Sequence, residues 1–249
     1  MRCFHDESDR FPSDFLQRFI NLENLKMSCS SFTEIFSSGS FGIGHSGTKV
    51  KLRKLVLVEL KNLEFICKEK YDVQVLQNIE ILDVSRCSRL KNIVPSSVLF
   101  GNLEQLKVKS CAGLENIMKS SVVNNIQKLK ILCIDYCEKI EEIIASDDEN
   151  DDFELAFMKL EHLQLINLPR LRSFCKGRNS FKFPLLKTLS VIDCPMMETF
   201  SHGVLYAPKL RTVRVNAEGE WHWNGDINST LRKIVAKKGN VYKMDYLKS

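Results

Sequence analysis

One apolar pattern returns along most of this chain, and it constrains the fold more than any other feature. In LEQLKVKSCAGLENIM, Leu103 to Met118, the apolar positions are Leu103, Leu106, Val108, Cys111, Leu114 and Ile117. The same spacing recurs from Ile79 (IEILDVSRCSRLKNIV), Leu129 (LKILCIDYCEKIEEII) and Leu186 (LKTLSVIDCPMMETF). Two further units, from Leu52 and Leu160, carry leucine where the others have cysteine. The unit from Leu22 is one residue shorter, and the one from Leu210, LRTVRVNAEGEW, keeps only the first half.

The eight starts are 24 to 31 residues apart, the period of leucine-rich repeats. Within each unit the L-x-L alternation puts two apolar side chains on one face of a short strand and the intervening residues on the other. One strand cannot bury that face alone, so successive units must stack. The six prolines, Pro12, Pro95, Pro169, Pro184, Pro195 and Pro208, all fall outside the L-x-L cores, as a continuous ladder of backbone hydrogen bonds demands. The expected fold is α/β: a leucine-rich-repeat solenoid forming a horseshoe arc, with a parallel β-sheet on the concave face and short helices or loops on the convex face. Residues 1–20 read as an incomplete N-terminal repeat or edge, 21–217 as a solenoid of about eight repeats, and 218–249 as a C-terminal capping segment with a basic helix and tail.

The repeat also accounts for most cysteines. Cys87, Cys111, Cys137 and Cys194 each stand three residues after the second apolar residue of a strand, and Cys29 is close to that position. A small apolar residue suits the point where the backbone turns into the stack. Thiols at least 24 residues apart lack the short spacing of zinc ligands, so a ladder of buried, unpaired thiols is expected, with Cys133 facing outward.

Two segments imitate ligand sites. Gly42, Gly44 and Gly47 have G-x-G-x-x-G spacing, but KLRKLVLVEL follows, which has strand composition where a phosphate site needs a helix. Thr48 also precedes Lys49, the reverse of the phosphate-loop order. The glycines therefore read as a loop between repeats. The acidic run ASDDENDD, Ala145 to Asp152, has Asp152 and Met158 where a calcium loop wants glycine and glutamate, and reads as a solvated insertion. The five histidines are scattered and no hydrolase, zincin or CxxC motif accompanies them. No enzyme, cofactor or metal is expected.

With 44% hydrophobic and 27% charged residues the composition is that of a soluble globular protein. No apolar run is long enough for a membrane span, and the opening MRCFHDESDRF has charges where a secretory signal needs apolar residues, so a cytoplasmic location is expected. The sequon at Asn228 is then expected to be unused. The formal charge of +5 lies in the last 46 residues, where nine Lys/Arg face four acids; a solvated helix face accounts for it without nucleic acid or membrane. Ile227, Leu231, Ile234 and Val235 follow Asp226 at helical spacing, and together with Trp221 and Trp223 they are expected to close the C-terminal end of the stack. At the other end only Phe15, Leu16 and Phe19 stand ready to shield the first repeat, so that edge is expected to be open.

In the cysteine-type units, in LINLPRLRSFCKG and FPLLKTLSVIDCPMMETFS, and most specifically in the ending EWHWNGDINSTLRKI, the chain resembles the C-terminal leucine-rich-repeat region of plant coiled-coil nucleotide-binding disease-resistance receptors. The resemblance runs from about Phe11 to Ala236. It implies pathogen recognition and restraint of a switch domain, with a pathogen effector, a host guardee or the receptor's own nucleotide-binding domain as partner. A repeat scaffold of another kind, such as a substrate adaptor of a ubiquitin ligase, stays open. Independently of family, the residues flanking L-x-L should face the concave side and meet a protein partner: Lys26, Lys54, Asp83, Ser85, Lys107, Lys109, Asp135, His162, Gln164, Ser190 and Arg214, along with Ser28, Val56, Val58, Ile192 and Asn216.

Overall fold

The computed structural model describes residues 11, 19, 21–36, 51–68, 74–93, 99–147, 152–216, 218 and 220–234. The glycine segment 42–47, residues 148–151 of the acidic run, Phe15, Leu16 and Val235 lie outside them.

Each of the eight units contributes one strand to a single nine-stranded sheet: Asn24–Ser28, Lys54–Val58, Ile81–Ser85, Gln105–Lys109, Ile131–Asp135, His162–Ile166, Thr188–Ile192 and Val213–Arg214. These eight run parallel, and Trp221–His222 closes the row antiparallel to the last of them. Register is one to one: Leu25, Leu55, Leu82, Leu106, Leu132, Leu163, Leu189 and Val213 are successive partners. All eight are buried. A slip of one residue would turn Lys107 and Asp83 into the core, which is why the alternation fixes the register.

On the convex side short strands join the expected short helices and loops. Short parallel strands pair there, Glu34–Phe36 with Phe65–Cys67, Met118–Lys119 with Ile144–Ala145, and Glu154–Ala156 with Ser180–Lys182 and Leu205–Tyr206. The helical pieces among the described connections are the 3₁₀ segments Gln74–Asn78 and Ser120–Asn125. Steps of 24 to 31 residues already spend about half their length on strand and turn, and the Ile- and Phe-rich remainder favours extended backbone. Asp147, read as part of a solvated run, is tied down: its carboxylate accepts from the Ser120 hydroxyl and the Ser121 N–H, both at 2.8 Å.

Directly after each long strand the backbone enters the left-handed region, at Cys29, Glu59, Arg86, Ser110, Tyr136, Asn167 and Asp193, with φ between 50° and 56°. Each such conformation costs a non-glycine residue about 1 kcal/mol. The turn offsets this by aiming an N–H at the carbonyl that ends the neighbouring strand: Glu59 to Ser85, Arg86 to Lys109 and Ser110 to Asp135, each at 2.9 Å. The next residue then points inward. Where it is Cys87, Cys111, Cys137 or Cys194 it is buried, and its thiol donates to the carbonyl two residues back at 3.4 to 3.5 Å. The cysteine is therefore a buried donor as well as the small apolar residue its position calls for. Cys29 lies one residue earlier, in the left-handed turn itself, and is exposed.

Two ends close differently from expectation. Phe11, not Phe19, covers the first repeat: Phe11 is buried and meets Phe32 edge to face at 5.8 Å, whereas Phe19 is 51% exposed. At the other end residues 227–234 are helical, capped by Asp226, whose carboxylate accepts from the Ser229 hydroxyl and N–H. Those bonds hold the Asp226 carboxyl below its usual range. Ile227 and Leu231 are buried and Ile234 packs against the core, but Trp221 and Trp223 remain 47% and 38% exposed and do not seal it.

Asn228 ends the outer hydrogen-bond ladder. Along it, Ile117 N–H donates to Ile143, Ile143 to Phe174 and Phe174 to Phe200. The N–H of Phe200 meets the side-chain oxygen of Asn228 at 2.7 Å, and Asn228 Nδ2 donates to the Ser201 carbonyl at 2.8 Å. One carboxamide thus stands in for the peptide group of a further repeat. Asn228→Asp replaces the donor by a second acceptor facing that carbonyl and should cost about 1–3 kcal/mol. Hydrogen exchange checks it: the amides of 227–234 should exchange faster in the variant while those of the strands before Thr188 keep their rates.

Candidate functional site

The open face of the long sheet carries the candidate residues in three rows set by the register. The first row holds Asn24, Lys54, Ile81, Gln105, Ile131, His162 and Thr188; the second Lys26, Val56, Asp83, Lys107, Cys133, Gln164, Ser190 and Arg214; the third Ser28, Val58, Ser85, Lys109, Asp135, Ile166 and Ile192. Neighbours in a row sit one strand spacing, about 4.8 Å, apart. Lys26, Lys107 and Lys109 are exposed, and Lys54, Asp83, Ser85, Asp135, His162, Gln164 and Arg214 half-buried.

Ser190 corrects the expectation. It lies in the second row but is only 6% exposed, a short side chain between Gln164 and Arg214, so it offers a partner nothing; Ile192 is likewise buried.

The polar groups are partly committed to one another. His162 Nδ1 and Thr188 Oγ1 are 2.8 Å apart, Gln164 accepts from the Cys133 thiol, and Arg214 Nε donates to the Asn216 carbonyl. Asp135 takes Lys109 at 3.1 Å and the Asn167 amide at 3.4 Å. Burial raises the Cys133 thiol. Along one border of the rows run Arg53–Glu80, Lys130–Glu104 and Lys187–Glu161 ion pairs, and along the other the Glu59–Arg86 pair.

Tyr136 belongs to this surface and was not among the expected residues. It occupies the left-handed turn after Ile131–Asp135, stands 53% exposed, and Lys109 Nζ lies 5.4 Å from its ring centre. The signal available in the sequence was its position, one residue past the strand, where the chain turns at the rim. Away from the sheet, a cavity of about 60 Å³ between His222, Trp223, Asn224, Thr230, Lys233 and Ile234 is far smaller than a nucleotide site. Among the described residues no group of three or more His, Cys, Asp or Glu is placed to hold a metal ion, and no helix is long and apolar enough to cross a membrane.

A chain whose solvent-facing rows sit on a stack of such repeats can be compared with known families. The family model of RPS2-like plant disease resistance proteins, leucine-rich repeats, matches residues 2–100 and 98–215. The chain belongs to this family. No curated protein and no solved structure matches. The RPS2-like match takes in all seven full-length sheet strands and the left-handed turns between them, so the three rows described above are borne on the family's repeats. As an RPS2-like repeat region, the chain has the architecture of a protein-interaction module of plant immunity.

Proposed function

We propose that this chain is the ligand-sensing and autoregulatory region of a plant intracellular immune receptor, and that it works by docking a protein on the open face of its long sheet. The observation that carries the reading is the composition of that face on RPS2-like repeats: lysines, an exposed tyrosine and half-buried aliphatics stand together on one sheet. Lys107 and Gln164 sit in the middle row, where contacts are best shielded from water, with Lys109 and Tyr136 toward the rim beside them. A pathogen effector, a guarded host protein or a nucleotide-binding domain of such a receptor is the class of partner, and the reading assigns no catalytic residue.

Proximity labelling in leaf tissue tests this. A set of labelled neighbours should be lost when Gln164→Arg and Tyr136→Ala are introduced together, and kept when Lys176→Glu is introduced on the outer row, where Lys176 pairs with Glu141. An unchanged set in the sheet-face variant would overturn the assignment of this face.

A further inference from the structure

The charges around the open face divide into two kinds. The border charges are already used: Arg53 with Glu80, Lys130 with Glu104, Lys187 with Glu161, and Arg86 with Glu59. Within the rows Lys109 is used by Asp135. By contrast Lys26, Lys54 and Lys107 make no ion pair among the described residues, and the one carboxylate beside them, Asp83, makes none either. These lysines stand on half-buried Val56, Val58, Ile81 and Ile131. An ammonium beside such an apolar floor is less screened than one in open water, and a carboxylate brought to it is attracted more strongly.

We infer that the N-terminal half of the open face, from Asn24–Ser28 to Ile131–Asp135, docks an acidic, aliphatic segment of a protein partner, with Lys26, Lys54 and Lys107 as the groups that read its carboxylates. This rests on the reading that the open face is a protein-docking surface. In the second row Lys26 and Lys107 are three strands apart, roughly 14 Å, and Asp83 lies between them. An extended segment lying across the strands advances about 13–14 Å in four residues, so two acids four residues apart meet both lysines. Asp83 disfavours a third acid between them and so selects a patterned segment over a uniform polyanion. The aliphatic floor makes the same selection, since Val56 and Val58 gain from apolar side chains and nothing from a phosphate backbone.

The probe is a fluorescent twelve-residue peptide of three Glu-Ser-Leu-Ser repeats, which puts glutamates four residues apart with leucine between them on the same face, measured by anisotropy against the full chain, with a Lys-Ser-Leu-Ser peptide of equal length as control. The glutamate peptide should bind, the control should not, and added salt should weaken the binding. Lys26→Glu, Lys54→Glu and Lys107→Glu together should weaken it about tenfold or more. Asp83→Asn should strengthen it, and Lys176→Glu should leave it unchanged; Lys26 and Lys107 are exposed and Lys54 half-buried on the open face, outside the core, so circular dichroism should match the parent. Equal binding of both peptides, or indifference to the three lysines, overturns the inference. So does lysine-dependent capture of phosphatidylserine vesicles or single-stranded RNA that outcompetes the peptide. Loss of the acidic probe's lysine dependence while Gln164→Arg and Tyr136→Ala still abolish the neighbours seen in leaf tissue would remove this inference and leave the docking face standing.

Discussion

Phe174→Ala lowers the stability of the C-terminal half by about 3–5 kcal/mol, the cost of emptying a fully buried aromatic site. Phe174 is at the centre of a cluster drawn from three consecutive units: it stacks on Phe200 at 4.4 Å and meets Phe181, Phe183 and Phe157 edge to face at 5.5 to 6.1 Å. Phe183 stacks in turn on Phe157 and Phe181. No small side chain can fill that gap, because the rings around it are held by one another and by the backbone ladder through Phe174 and Phe200. In a stack where each repeat touches only its neighbours, the loss stays local. Urea unfolding followed by the fluorescence of Trp221 and Trp223 should therefore shift to lower denaturant, ahead of the transition seen by circular dichroism. A shift worth less than about 1 kcal/mol would mean the cluster is not what holds this half together.

How far the sequence reveals this structure depends on which groups do the work. The L-x-L positions could be read because burial is a property of side chains, and a period of 24 to 31 residues brings the same side chains to the same place eight times. Ser190 could not be read, because its alternation is that of the exposed row residues, whereas it is a short side chain set between the longer Gln164 and Arg214 of the neighbouring strands. The left-handed turns could not be read either. Cys29, Glu59, Arg86, Ser110, Tyr136, Asn167 and Asp193 share no chemistry, and what the first six have in common is the N–H each sends to the next strand. The same holds for Asn228, whose surrounding sequon suggests a sugar acceptor, whereas its carboxamide completes a backbone ladder. The rows of the open face were legible as positions. Which of their charges are already paired was not, because pairing partners such as Lys109 and Asp135 lie 26 residues apart and meet only in register.

Cys111→Asp tests the inner ladder most severely, and at about 3–5 kcal/mol or more it should leave little folded protein. Cys111 has no measurable exposure; its thiol donates to the Lys109 carbonyl at 3.4 Å and lies 3.9 Å from the Val84 carbonyl of the preceding unit. A carboxylate there would be buried against two backbone carbonyls, both of them acceptors. Cys111→Ala separates the two roles of the residue, since it keeps a small apolar group and removes only the donor; it should cost about 1 kcal/mol. The native thiols provide a check that needs no variant. Its hydrogen bond with Cys87 and its burial raise the Cys111 thiol, and burial pushes the Cys137 thiol up to about 12, so neither forms the reactive thiolate near neutral pH. With Ellman's reagent on the folded chain, exposed Cys29 should react at once and half-buried Cys133 more slowly, while Cys87, Cys111 and Cys137 should wait for unfolding. Prompt labelling of Cys111 in protein whose circular dichroism is unchanged would show that the stack opens at its centre without unfolding, and the cysteine ladder would then not be part of what keeps the repeats together.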